Sequence, residues 1–308
     1  MSLVLSELGK GIAQRWLNML VLPGALYAAV VAVAWTMPHL RPFAFGELLA
    51  RIDEWASAVD GAGVSALAVL LGAVLLAAAA AGFAAQTLGA IVERWWLQPD
   101  TPLLRRAAQR RIAARRKRWN KASKQYERVL GRAVSALGDA HRTGREHNFE
   151  MRRAEVNETY RARERISPEH PQRTCWAGDR ISAVAVRVGR AHHVELSQIW
   201  PSLWLVLDEG NREQLSAARE ALTRAATLTG WAVLYGALVV LWWPMLLVAA
   251  AITVTAHVHS QNAADRYASL LEAAVRLHIA ELARTLGVEI DGPFTAESGR
   301  ALSRALRG

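Results

Sequence analysis

The sequence predicts an all-α fold: a polytopic membrane protein with two transmembrane hairpins, four spans in all, and a long-helix cytoplasmic domain. Three observations predict it. The chain of 308 residues carries a net charge of +10 yet is 52% hydrophobic, and the two properties are segregated, with apolar runs toward both ends and charge in the middle. Alanine, leucine, valine and arginine dominate, which favours helix over strand. Within the charged segments apolar residues recur at threes and fours, the spacing of an amphipathic helix. One cysteine, Cys175, rules out an intrachain disulfide and fits a reducing compartment for the charged part.

The first two spans are Trp16 to Met37 and Gly63 to Ile91, both free of charged side chains; a bilayer core needs about twenty apolar residues in helix. Lys10 and Arg15 precede the first run as they would in a signal peptide, but its length favours a retained anchor. The third and fourth runs, Leu228 to Trp243 and Pro244 to His259, meet at Trp242-Trp243-Pro244. Each is about 24 Å long as helix. Full crossing and a re-entrant hairpin are both open for this pair, and either puts the flanking segments on one side. Pro244 suits a helix start, where a missing N–H does no harm. The expected division is 1–97 (spans about 16–37 and 63–91), 98–221 as the basic helical domain, 222–262 as the second hairpin, and 263–308 as C-terminal helices.

Orientation follows from the cations. The loop at 38–62 has two arginines against four acids, whereas the middle segment holds Lys and Arg in clear excess. Basic loops stay inside, so a plasma-membrane protein with both termini cytoplasmic is expected. Tryptophans gather at span ends, where an aromatic belt forms: Trp16, Trp35, Trp242 and Trp243 are expected as interfacial anchors.

The densest basic run starts just after the second span, "LLRRAAQRRIAARRKRWNKASK", with no acid in it. Alone it resembles a nucleic-acid-binding helix. In place, each cation near an anionic leaflet adds about 1 kcal/mol of attraction, so the run reads as a topogenic helix on lipid, and nucleic acid becomes the minor alternative. Arg105, Arg106, Arg110, Arg111, Arg115, Arg116, Lys117 and Arg118, with Trp95 and Trp96, are the expected lipid contacts. Leu104, Ala108, Ile112, Trp119, Ala122, Tyr126, Val129 and Ala133 form a narrow apolar stripe on the same helix.

Farther on, a mixed-charge helix is expected from Asp139 to Arg165, ended by "SPEHP". A short amphipathic helix carries Ile181, Val184, Ala185 and Val188, with Asp179 as its N-terminal acid. "IWPSLWLVL" is too short to span, and is either buried core or an inner-headgroup segment. Gly210 ends that element; Asn211 and Gln214 suggest a capping box for a helix running to Trp243. The fourth span continues past His259 to a C-cap at Gly287, packing antiparallel to it. A last helix, Ala296 to Arg307, carries Arg300, Arg304 and Arg307.

The block "RTCWAGDRISAVAVRVGRAHHVELSQIWPSLWLVLDEGNREQLSAAREALTRA", the "LWWP" hairpin and "ADRYASLLEAAVRLHIAELARTLG" together resemble a group of actinobacterial-type membrane proteins. Those proteins carry a W-P-x-L-W-L-x-L stretch before a Trp-Trp-Pro transmembrane hairpin. The likeness covers about residues 170–290. The N-terminal half matches in plan alone, and His192 or His193 stands where many of the group have tyrosine. The resemblance implies an architecture and a Gram-positive inner-membrane setting, and it implies no chemistry.

The residues themselves suggest no catalytic site. His257 and His259, two apart on a helix, point to different faces; His147 and Glu150 sit on a charged, solvated face; Cys175 has no neighbouring base. No phosphate-binding loop or zinc spacing occurs. The spans lack mid-depth charges, which argues against a coupled transporter. No enzyme, cofactor, metal or small-molecule substrate is expected. The expected function is a non-enzymatic membrane scaffold or interaction protein, self-associating or bound to a cytoplasmic protein, with its basic juxtamembrane helix on anionic lipid. The alternative is a homo-oligomeric pore or effector gated from the cytoplasmic side.

Overall fold

Apolar runs and amphipathic stripes become helices throughout. The structure, a computed structural model, describes residues 21–36, 45–60, 63–98, 105–143, 149–290 and 292–307. Among them lie α1 (Leu22–Thr36), α2 (Phe45–Asp60), α3 (Val64–Leu97), α4 (Arg105–Thr143), α5 (Phe149–Glu164), α6 (Trp176–His192), α7 (Leu196–Val206), α8 (Glu209–Ala237), a 3₁₀ turn (Leu238–Val240), α9 (Met245–Thr285) and α10 (Ala296–Ala305). No strand occurs among the described residues.

Among the described residues two helices are long and apolar enough to cross a membrane, against the four spans expected: α3, and α8 with its 3₁₀ turn to Val240. Helix α1 is apolar but has 15 residues, and the start of the first expected span lies outside the described residues. In α9 the apolar part ends at Val258 and polar Ser260, Gln261 and Asn262 follow, leaving about 21 Å of apolar helix at 1.5 Å per residue.

The chain divides into two units, Met1–Val92 with Thr223–Val258, and Glu93–Leu222 with His259–Gly308. In the first, the small-residue run on α3 packs: Ala78, Gly82, Ala85 and Gly89 are buried along one face. Glycine is needed where backbones meet, because a Cβ at Gly89 would lie 2.7 Å from Thr227 Cα, and one at Gly230 would strike the Ala85 carbonyl. Such close approach is how helices associate where hydrophobic burial gives no drive. Tyr27 stacks on Tyr235 and Trp231 (5.2 and 5.9 Å) and donates its hydroxyl to the Leu234 carbonyl at 3.3 Å. The other face of α3 leaves Val69, Leu76 and Phe83 exposed. Thr87, Thr253 and Thr255 satisfy their hydroxyls on carbonyls one turn back, at 2.7–2.9 Å.

The second unit has its own core. Val184 and Val188 of α6, Ile199 and Leu203 of α7, Leu207, Leu215 of α8, Leu271, Val275, Ile279 and Leu282 of α9, and Leu302 of α10 pack together. Burying each such side chain contributes about 1.5–3 kcal/mol. The "IWPSLWLVL" segment is therefore core on one face, with Ile199, Leu203 and Leu207 fully buried, while Leu205 points outward. Helices α4 and α5 run antiparallel, because rising positions on one meet falling positions on the other. Arg115 reaches Ile166, Tyr126 stacks on Tyr160 at 5.8 Å, and Arg132 pairs with Glu155 at 3.5 Å. Ala108, Ile112 and Val129 of the predicted stripe are buried, and Trp119, Ala122 and Tyr126 partly so; Leu104 lies outside the described residues.

Three boundaries differ from expectation. Helix α4 runs on through Gly138 to Thr143, supported by the Asp139–Arg142 pair (2.7 Å), and α5 begins only at Phe149. One glycine costs about 1 kcal/mol in a helix interior, too little to stop a long helix. Gly210, expected to end an element, sits in the first turn of α8, which starts at Glu209. The carboxylate that caps that turn belongs to Asp208, which accepts from the Asn211 backbone N–H at 3.3 Å; the acid one position before the helix serves better than the predicted Asn211. Gly287 does close α9, at φ +74°, with Val288 N–H donating to the Ala283 carbonyl at 2.9 Å.

Candidate functional site

The segment 166–175 contains Pro168 and Pro171 and no regular helix or strand, so its carbonyls need donors from elsewhere. Helix α4 supplies them from one side. Arg111 Nε donates to the Thr174 carbonyl (3.0 Å), Arg115 Nη2 to Ile166 (2.5 Å), Arg116 Nε to Pro171 (2.8 Å) and Trp119 Nε1 to Ser167 (3.0 Å). Asp179, 2% exposed, completes the clamp. Its Oδ1 accepts from the Gln172 and Arg173 N–H groups at 2.8 Å each, and its Oδ2 from Arg115 at 2.7 Å. Asp179 thus serves the loop before α6 more than the helix dipole. The side chain at the α6 N-cap is Cys175, whose sulfur accepts from Gly178 N–H at 3.4 Å.

This geometry divides the expected lipid contacts. Arg111, Arg115 and Arg116 hold the loop. Arg105, Arg106, Arg110, Lys117 and Arg118 are exposed. At 3.6 residues per turn, Arg106, Arg110, Lys117, Lys121 and Lys124 fall within a sector of about 60°, on the side of α4 opposite buried Ala108 and Ile112. Trp95 lies half-buried under the Arg111 guanidinium (5.4 Å) and its carbonyl accepts from Thr174 Oγ1 at 2.8 Å. Trp96 packs against Ala177, Leu222, Ala263 and Ala264. Of the expected anchors, Trp35 is 79% exposed and Trp243 43%, Trp242 is partly buried among its neighbours, and Trp16 lies outside the described residues.

A second cluster escaped sequence reasoning. Arg180, buried in α6, donates to Asp265 (2.7 Å), Glu272 (3.0 Å) and Ser269 (3.0 Å) of α9, and Arg187 shares Glu272 at 3.0 Å. The available signal was the spacing of Arg180 and Arg187, seven apart on the apolar face set by Val184. A polar cleft of about 560 Å³ opens beside them, lined in part by Arg161, Glu164, Trp176 and Asn262. Among the described residues no group of three or more metal-ligating side chains converges. Burial pushes the Cys175 thiol up to about 11, so it is protonated at neutral pH and poorly nucleophilic. Burial, with Arg276 second, holds His192 below the ordinary histidine range.

The class these features define, among the described residues, is an all-helical protein with two membrane-competent helices and a separately cored basic unit. No protein-family model matches it, nor does any curated protein or any solved structure.

Proposed function

We propose that the protein is a non-enzymatic, four-span membrane protein of the plasma membrane with both termini in the cytoplasm. Its helical cytoplasmic unit serves as a scaffold for self-association or for a protein partner, and the basic helix α4 rests on anionic lipid. The observation that carries this reading is the cation sector of α4, free of the loop clamp and opposite the packed stripe. Exposed Gln86 on α3 supports self-association, since it makes no hydrogen bond among the described residues. In a bilayer such an amide finds its partner on another helix.

Charge reversal tests the lipid contact. In the full chain, Arg106, Arg110, Lys117 and Lys121 are changed together to Glu, and co-purifying phosphatidylglycerol is measured. At about 1 kcal/mol per cation, the enrichment over phosphatidylcholine falls by roughly 10³-fold. Unchanged enrichment overturns the lipid role. For topology, single cysteines at Ser57 and Gln125 are introduced in a Cys175→Ser background. Impermeant maleimide on intact cells labels the first and spares the second; equal labelling overturns the orientation.

A further inference from the structure

The C-terminal helix carries a set of charges that neither the lipid contact nor the scaffold reading uses. Helix α10 is held firmly. Thr295 and Ser298 form a capping box at its start, Leu302 is fully buried, and a Cβ at Gly299 would strike the His192 carbonyl, so α10 lies directly on the end of α6. Phe294 packs its ring on His192 at 5.5 Å. The helix is therefore placed, and with it the face bearing Arg300, Arg304 and Arg307.

Those three arginines line one side of a cleft of about 580 Å³, with His193 and Gln198 among the residues of the α6–α7 turn that complete it. Among the described residues none of the three arginines forms an ion pair. Two carboxylates share the lining with the three arginines: Glu195, which accepts from Ser197 (2.7 Å) and Gln198 (2.6 Å), and Glu297 in the first turn of α10, where the helix dipole favours it, so the arginines leave positive charge in excess. Like charges three and four apart on a helix repel by a few tenths of a kcal/mol per pair, and a bound anion would reverse that term. His193 adds a second sign of use. It occupies the left-handed region at φ +55°, a C-cap position that glycine fills without strain. A ring there puts an N–H donor beside the arginines.

We infer that this cleft binds a phosphate monoester or pyrophosphate group. Arginine forks match phosphate oxygens two at a time, and the cleft has the size of a small-molecule site. Among the described residues His193 is the one aromatic ring on its lining, so the phosphate itself is the recognised part. It can be borne by a soluble molecule or by a lipid headgroup.

The experiment uses the full chain in nanodiscs. One arm titrates inorganic pyrophosphate into phosphatidylcholine nanodiscs and reads binding by calorimetry. The other reads enrichment of phosphatidic acid around the chain in mixed nanodiscs. Saturable binding of one pyrophosphate per chain is expected, weakened about 10- to 100-fold in Arg300→Gln/Arg304→Gln and unchanged in Arg128→Gln on α4. Enrichment of phosphatidic acid that the double variant abolishes, without pyrophosphate binding, assigns the site to lipid. Absence of both, or equal loss in Arg128→Gln, overturns the inference. Circular dichroism melts accompany each variant, and if the double variant unfolds, Arg307→Gln alone carries the comparison.

Discussion

Replacing Asp179 by alanine removes three hydrogen bonds from one buried carboxylate: two from the backbone N–H groups of Gln172 and Arg173 and one from Arg115. Arg115, with its side chain 18% exposed, is left without its counter-ion. Breaking one side of a buried pair costs about 3–5 kcal/mol, and the orphaned N–H groups, at about 1–3 kcal/mol each, overlap with that figure. A loss of about 4 kcal/mol follows. For a unit of this size each kcal/mol moves the melting temperature by about 2–4 °C, so a drop of about 8–16 °C is expected. Asp179→Asn keeps an oxygen for the two N–H groups and is expected to lose about half as much. The assay is tryptophan fluorescence on heating the full chain in detergent. Trp119 and Trp176 both report, since their indole N–H groups bond to Ser167 and Glu164 carbonyls at either end of the loop's first turn. If Asp179→Ala melts within about 2 °C of the parent, the clamp does not hold the unit together and the reasoning fails.

The remaining predictions are simpler. Gly89→Val forces a side chain onto the Thr227 backbone and is expected to lower the melting temperature of the first unit. Gly131→Ala, with open space around its Cβ, gains about 0.5–1 kcal/mol; equal effects from the two would refute the packing described. His192 is held below its ordinary value near 6.5 in the folded chain. The unfolded chain therefore takes up a proton that the folded one refuses, and stability is flat above about pH 6.5 and falls as pH drops below it. Hydrogen exchange at 294–307 should accelerate below pH 6 in the parent but not in His192→Phe. Cys175 should react with a disulfide reagent at pH 7 far more slowly than a free thiol, while Cys175→Ser keeps the cap and the melting temperature; fast labelling of the folded chain would contradict its burial.

Helical periodicity made much of this molecule legible in advance. The stripe from Ala108 to Ala133, the Gly287 cap, the small-residue face of α3 and the long helices either side of Trp242-Trp243-Pro244 all follow from spacing within a few turns of chain. The clamp did not follow. Arg111, Arg115 and Arg116 look like their neighbours Arg110 and Lys117 in the sequence, and all eight cations read alike as lipid contacts. Their partners lie between 51 and 64 positions away, in a proline-bearing loop whose unpaired carbonyls leave no local pattern. Likewise Arg180 reads as a residue at a helix start, and its three partners on α9 are 85 to 92 positions distant.

By itself the sequence determined that the chain is helical, where its apolar and basic segments lie, and which stripe of each helix seeks burial, because those properties depend on side chains a turn apart. Tertiary structure alone decided which arginines are spent on the protein's own backbone and which remain available. It also decided that the charges of the last helix share a cleft with His193. A guanidinium's role depends on what meets it in space, and long-range pairing of that kind is set by packing rather than by period.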